Sequence, residues 1–368
     1  MESHAWVLLA IAAVVGTAWP GRAAAQSPIK DDEEVVLFAT VAHQDGKDWV
    51  VPLHCWIYER EGDSRWRAGA LSGLRRALGL TDGDPRASRF TTVAGWFMVD
   101  NERGKRIPVK IGTLEGILDR SLASGHARGL LRVPVAAAVD WLTVEAQALN
   151  GRRFSGRIRL VAPTGVSVVS DVDDTIKVTE VLAGKSRVLE RTFLEPFEPV
   201  SGMAALYRSW SDRGAVFHYV SASPWHLYPE LAGFVAASHL PEGSFHLRDF
   251  RFKDSTRWNL LESPRRHKSD AIEELLARFP KRRFVLVGDS GERDPEIYGE
   301  LARRHPRRIA AILIRRLDAD GWTDARSRAA FARVSAPVHL FRDPAELPPL
   351  DGLDRPAAAA VPVHTSTR

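Results

Sequence analysis

Three acids crowd the end of one apolar run. In VSVVSDVDDTIKVTE, from Val166 to Glu180, a β-branched stretch stops at Asp171, Asp173 and Asp174, with Thr175 next. Like charges this close repel, so the arrangement costs stability unless a cation or a reaction uses it. Asp171 and Asp173, two apart in an extended stretch, point the same way. With Asp289 they make a set of hard oxygen ligands that suits Mg²⁺ better than softer metals. A divalent ion would cancel the repulsion and screen a phosphate from an attacking carboxylate. Lys268 adds positive charge, and Ser221 with nearby backbone N–H groups suits transferring oxygens.

These residues need a frame that gathers them. After APTG the hydrophobic period changes to helical faces alternating with short β-branched runs, which predicts a Rossmann-like parallel α/β sheet. Its strands are expected at Val166–Ser170, Ala215–Val220, Phe245–Leu247, Phe284–Gly288 and Ile309–Ile314, with VHLF from Val338 as a late addition. Met203, Leu206, Tyr207 and Trp210 share one helical face that Gly214 stops, and Ile272, Leu275, Leu276 and Phe279 repeat the spacing. Asp171 and Asp173 then follow the first strand, Ser221 and Ser223 the second, Asp289 and Asp294 the fourth, and Lys268 opens the helix before it. All fall on the carboxyl edge, where such sheets bind ligands.

Each residue has a plainer reading. DVDDT alone is also an acidic turn. A calcium loop fails, because Ile176 stands where Gly is required and Leu182 where a bidentate Glu belongs. Lys268 beside Arg265 and Arg266 reads as a solvated helix start, and Asp294 before Pro295 equally as a helix N-cap. Ser223 is an alternative to Ser221 as the phosphate contact. His218, His226 and His267 lack metal-ligand spacing, and neither GxSxG nor a P-loop occurs.

The set resembles the haloacid-dehalogenase-like phosphatases: DVDDT from Asp171 to Thr175, Ser221 ending a strand, Lys268, and Gly288-Asp289 through Asp294. That resemblance implies that Asp171 is the nucleophile and Asp173 the acid, then base, with Thr175 completing the motif. More narrowly, SDVDDTIKVTEVL, HYVSASPWHLYP, HKSDAIEELLARFP and VGDSGERDPEIY resemble the catalytic domain of the fungal actin-patch phosphatidate phosphatase family and its bacterial relatives, over roughly Pro163 to Asp343. The resemblance implies Mg²⁺-dependent release of phosphate from phosphatidate-like lipids, with Asp171, Asp173, Asp289 and Asp294 around the metal. Short spacings between Asp171, Ser221 and Lys268 leave no room for a large cap, which favours a bulky or membrane-held substrate. Trp225, Tyr228, Phe250, Phe252 and Trp258 would form an apolar rim for acyl chains or pack into the core. A soluble or protein-bound phosphomonoester, and a catalytically silent phosphate- or lipid-binding module, are the rival functions.

Around this region, 1–25 read as a signal peptide, with an apolar run and Ala23-Ala24-Ala25 as the cleavage site, though MESH carries no Lys or Arg. Export to the periplasm or medium is the expectation. Residues 31–163 read as a smaller β-rich domain, a sandwich or barrel, 164–345 as the phosphatase domain, and 351–368 as a disordered tail. Strands are expected in EVVLFATVAH, WVVPLHCWIYE, RFTTVAGWFMVD, RIPVKIG and LTVEAQA, one helix in RAGALSGLRRALGL, and a hairpin turn at Asn150-Gly151. The single cysteine, Cys55, excludes an intramolecular disulfide and reads as a small core residue. A net charge of +5 with no aromatic-interleaved basic stripe does not point to nucleic acid; the Arg clusters suit anionic substrates, lipid head groups or solvent.

Overall fold

The computed structural model describes residues 27–60, 65–134, 140–249, 264–317 and 322–349. The expected signal peptide and tail lie outside these residues, as do Phe250, Phe252 and Trp258. No described helix is long and apolar enough to cross a membrane.

The first half is one nine-stranded sheet: β1 (Glu33–Leu37), β2 (Thr40–Asp45), β3 (Asp48–Glu59), β4 (Asp100–Asn101), β5 (Pro108–Ile111), β6 (Leu114–Ile117), β7 (His126–Pro134), β8 (Trp141–Gln147) and β9 (Arg153–Val161). Its pairings are antiparallel except β2 with β9. Alternation decides its faces: β8 buries Val144 and Ala146 and exposes Thr143, Glu145 and Gln147. The sheet curls until its ends approach, where the Asp119 amide donates to the Arg128 carbonyl at 2.7 Å. Asn150-Gly151 turns the β8–β9 hairpin, with Gly151 at φ 86°, a conformation that suits glycine. Cys55 is buried inside the curl.

Two helices, α1 (Arg65–Ala77) and α2 (Ala87–Gly95), connect β3 to β4. The second corrects the strand expected in RFTTVAGWFMVD. Phe90, Val93 and Ala94 recur at helical spacing and bury one face, while the Thr91 and Thr92 hydroxyls donate back to the Ala87 and Ser88 carbonyls. Burial of that stripe outweighs the β preference of the threonines. The strands at β6 and β7 were not expected from sequence.

The second half is a six-stranded, all-parallel sheet of β10 (Val166–Ser170), β11 (Val216–Pro224), β12 (Gly243–Arg248), β13 (Arg283–Asp289), β14 (Ile309–Arg315) and β15 (Val338–Phe341), ordered β12-β11-β10-β13-β14-β15. Every residue of β10 is buried, as in a parallel strand covered on both faces. The covering helices include α3 (Lys185–Phe193), α4 (Met203–Ser211), α5 (Tyr228–Ala237), α6 (Pro264–Arg278), α7 (Asp294–Arg304) and α8 (Asp324–Phe331). Met203, Tyr207 and Trp210 of α4 and Ile272, Leu275 and Leu276 of α6 face inward as their spacing predicts.

One apolar cluster joins the halves: Phe38, Trp56, Tyr58 and Phe90 pack with Phe217, Trp225, Leu227 and Tyr228. The Trp225 ring lies 4.3 Å from that of Phe38, and the Ala39 amide donates to the Tyr228 hydroxyl at 2.9 Å. Trp225 and Tyr228 are therefore core residues of the contact between the halves and form no exposed rim.

Candidate active site

β10 lies between β11 and β13, so the chain leaves the sheet in opposite directions on its two sides and opens a crevice at the carboxyl edge. Asp171 follows β10 directly, and its N–H still donates to the Val287 carbonyl of β13 at 2.9 Å. Ladder pairing of β10 stops at Ser170. The next residues fold into a tight turn in which the Ile176 and Lys177 amides both donate to the Val172 carbonyl at 3.0 Å. The extended geometry assumed for Asp171 and Asp173 thus ends before them, and their carboxylates take separate partners.

Asp171 is buried with both oxygens held. Oδ2 accepts from the Thr175 hydroxyl at 2.9 Å and Oδ1 from the Lys268 ammonium at 2.9 Å. Lys268, near the start of α6, also bonds the Asp294 carboxylate and stands 3.8 Å from Glu292. Asp294 is the first residue of α7, yet its side chain does not cap that helix: it turns into the site, and its other oxygen accepts from the Asp289 amide at 3.3 Å. Gly288 makes that approach possible, since a Cβ there would lie 2.1 Å from Asp294 Oδ2.

Carboxylate oxygens of Asp171, Asp289 and Asp294 lie within 4.8 Å of one another, and all three residues are buried. Burial, with the neighbouring carboxylates, pushes the Asp171 and Asp289 carboxyls well above the ordinary range; Lys268 opposes it. Burial would lower the Lys268 ammonium, but Asp171 and Asp294 outweigh it and hold it well above. Asp289 Oδ1 accepts from the Gly291 and Glu292 amides at 2.7 and 3.2 Å, whereas its buried Oδ2 has no hydrogen-bond partner among the described residues. A buried carboxylate oxygen left bare beside two more acids fits a hard cation.

Asp173 stands apart from this trio. Oδ1 meets the Lys177 ammonium and the Thr179 hydroxyl, each at 2.8 Å, and Oδ2 accepts from the hydroxyls of Ser221 at 3.1 Å and Ser223 at 3.4 Å. Burial would raise this carboxyl, but Lys177, Thr179 and Ser221 hold it below the usual range. Strand β11 runs on to Pro224 with a register shift after Val220, so the serines lie within a bulged strand end instead of after it. Asp174 shapes the loop: its backbone sits at φ 54°, and its carboxylate accepts the amides of Thr179, Glu180 and Val181. Lys177, Thr179 and Glu292 face the site without having been singled out from sequence. A lysine set between apolar Ile176 and Val178 was the available signal for the first; burial pushes Glu292 up to about 7.

Residues 166–316 match the family described as phosphatidate phosphatase APP1, catalytic domain. The matched segment makes up less than half of the chain. It contains every residue of the site just described. The chain is similar to an uncharacterized protein of Schizosaccharomyces pombe, 33% identical over 172 residues, covering 46% of this chain and 28% of the relative. It is similar to phosphatidate phosphatase APP1 of Saccharomyces cerevisiae, 34% identical over 158 residues, covering 42% and 26%. The chain spans little more than a quarter of either relative's length. The nine-stranded half lies outside the segment that matches the phosphatase family.

Proposed function

We propose that this chain is a Mg²⁺-dependent phosphatase with a haloacid-dehalogenase-like catalytic domain, acting on phosphatidate or a related lipid phosphate through an aspartyl-phosphate on Asp171. The observation that carries this reading is the Asp171 carboxylate itself, buried at the strand end and gripped by Lys268 and Thr175, with the bare Asp289 oxygen beside it. Mg²⁺ held by Asp171, Asp289 and Asp294 would supply charge that screens the phosphate.

The residues divide the work. Lys268 favours the ionised form of Asp171 against its burial, and Thr175 fixes its orientation. Ser221 and Ser223, with adjacent backbone N–H groups, bind phosphoryl oxygens. An Asp171 oxygen bonds to phosphorus as the bond to the leaving oxygen breaks, and that oxygen takes its electron pair and a proton from Asp173. Asp173, now a carboxylate, removes a proton from water, which attacks phosphorus and releases phosphate and free Asp171. The leader-like stretch before Gln26 supports an exported enzyme, and the nine-stranded half supports the catalytic half through the shared core.

Phosphatidate in mixed micelles and a small aryl phosphate, each with Mg²⁺ and with chelator, test this. Mg²⁺-dependent turnover of phosphatidate is expected. Turnover unchanged by chelator contradicts the metal, and turnover of the aryl phosphate alone contradicts the lipid.

A further inference from the structure

We propose that Lys177, together with Thr179, is a positioning residue for the proton-transfer step: it fixes one oxygen of Asp173 so that only the other faces the reacting oxygens. This rests on the reading of Asp173 as the proton donor.

Two buried lysines divide the two working carboxylates between them. Lys268 serves Asp171, and Lys177 serves Asp173. The Lys177 ammonium lies 2.8 Å from Asp173 Oδ1, 2.5 Å from the Thr179 hydroxyl and 4.8 Å from the centre of the Phe197 ring. Only 2% of Lys177 is exposed, and the face of the Phe197 ring covers one side of its ammonium. Its backbone is held as firmly: the Asp174 amide donates to the Lys177 carbonyl at 2.7 Å, and Lys177 forms bridges with Asp173 and Pro199.

The two oxygens of Asp173 therefore have different surroundings. Oδ1 is filled from below by Lys177 and Thr179, while Oδ2 meets Ser221 and Ser223, hydroxyls that an arriving phosphate would draw away. A proton brought in on the phosphate monoester passes to Oδ2 once the serine hydroxyls turn to the phosphate, and from Oδ2 to the leaving oxygen; the carboxylate left behind keeps Lys177 on Oδ1. An ammonium placed this way does not touch the substrate. It sets the direction of the donor, and geometry of that kind decides proton-transfer efficiency.

Leaving-group dependence tests the proposal. A glycerol oxygen needs a proton as it departs; a nitrophenolate does not. Lys177→Met is compared with wild type and Lys177→Arg on phosphatidate in mixed micelles and on 4-nitrophenyl phosphate. In a single turnover at saturating substrate, release of the leaving group from phosphatidate should slow on the order of 10²-fold, with a much smaller change on 4-nitrophenyl phosphate and partial recovery in Lys177→Arg; the later hydrolysis of the aspartyl phosphate, common to both substrates, does not enter this rate. Equal losses on both substrates, or no loss, overturn the proposal. Asp173→Asn, read by the same first-turnover rate, separates the two levels of argument: if it lacks the split, the donor role of Asp173 falls, and if it shows the split while Lys177→Met does not, only the present inference falls. Should Lys177→Met fail to fold, Thr179→Val removes the other donor to Oδ1 and is read by the same criteria.

Discussion

The Lys268 ammonium stands 2.9 Å from Asp171 Oδ1, although 97 positions separate the two in the chain. It is the cation that makes three buried carboxylates tolerable. Replacing it by Met leaves that charge uncompensated, which should destabilise the fold by about 3–5 kcal/mol. Thermal denaturation in chelator should show the loss, and added Mg²⁺ should restore more stability to Lys268→Met than to wild type. An unchanged melting temperature would mean that the acids are protonated and that Lys268 carries no such load.

Asp171→Asn removes one charge from the cluster and keeps the shape. Turnover should fall by about 10³-fold or more, while the melting temperature holds or rises as repulsion is relieved. Steady-state rates beside a denaturation curve decide this; a variant as active as wild type excludes Asp171 as the nucleophile.

Gly288→Ala probes the fit between β13 and α7. The added methyl would meet the Asp294 carboxylate, itself fixed by Lys268, so neither can yield without disturbing the cluster. A stability loss of about 1–3 kcal/mol and weaker Mg²⁺ activation are expected from urea unfolding and a metal titration.

Acid should loosen the contact between the halves. His54 and His126 bond each other at 2.9 Å beside Phe38 and Trp225. Burial holds His126 at about 4 and His54 well below its ordinary value. Unfolded imidazoles bind a proton near pH 6.5, so between these values the unfolded chain holds more protons. Stability is full above pH 6.5 and falls as pH drops towards 4, by about 3 kcal/mol for His126 alone. Urea unfolding at stepped pH should show this slope, and His126→Asn should flatten it.

The parallel sheet was legible because its strands are short β-branched runs and its helices repeat apolar residues at helical spacing: β10 and β15 fall where those runs lie. Asp171, Asp289, Asp294 and Lys268 could be placed together because the carboxyl edge of such a sheet collects the residues just past each strand. Lys177 was hidden, since its burial depends on Phe197 and on a turn that spacing does not reveal. Helix α2 was misread because Thr91, Thr92 and Val93 favour strands locally, and only packing against the other half settles the matter. Trp225 and Tyr228 could be rim or core until Phe38 and Ala39, far away in sequence, were found against them.

The most direct test is to trap the phosphorylated enzyme. Asp173→Asn, which should still accept a phosphoryl group from 4-nitrophenyl phosphate but release it slowly, is acid-quenched during turnover with Mg²⁺ and digested for peptide mass spectrometry. One phosphoryl group on the peptide containing Asp171, lost after hydroxylamine treatment and absent from Asp171→Asn, is the result the account predicts. A burst of nitrophenol with Asp171 unmodified, or with the label on another residue, would contradict it.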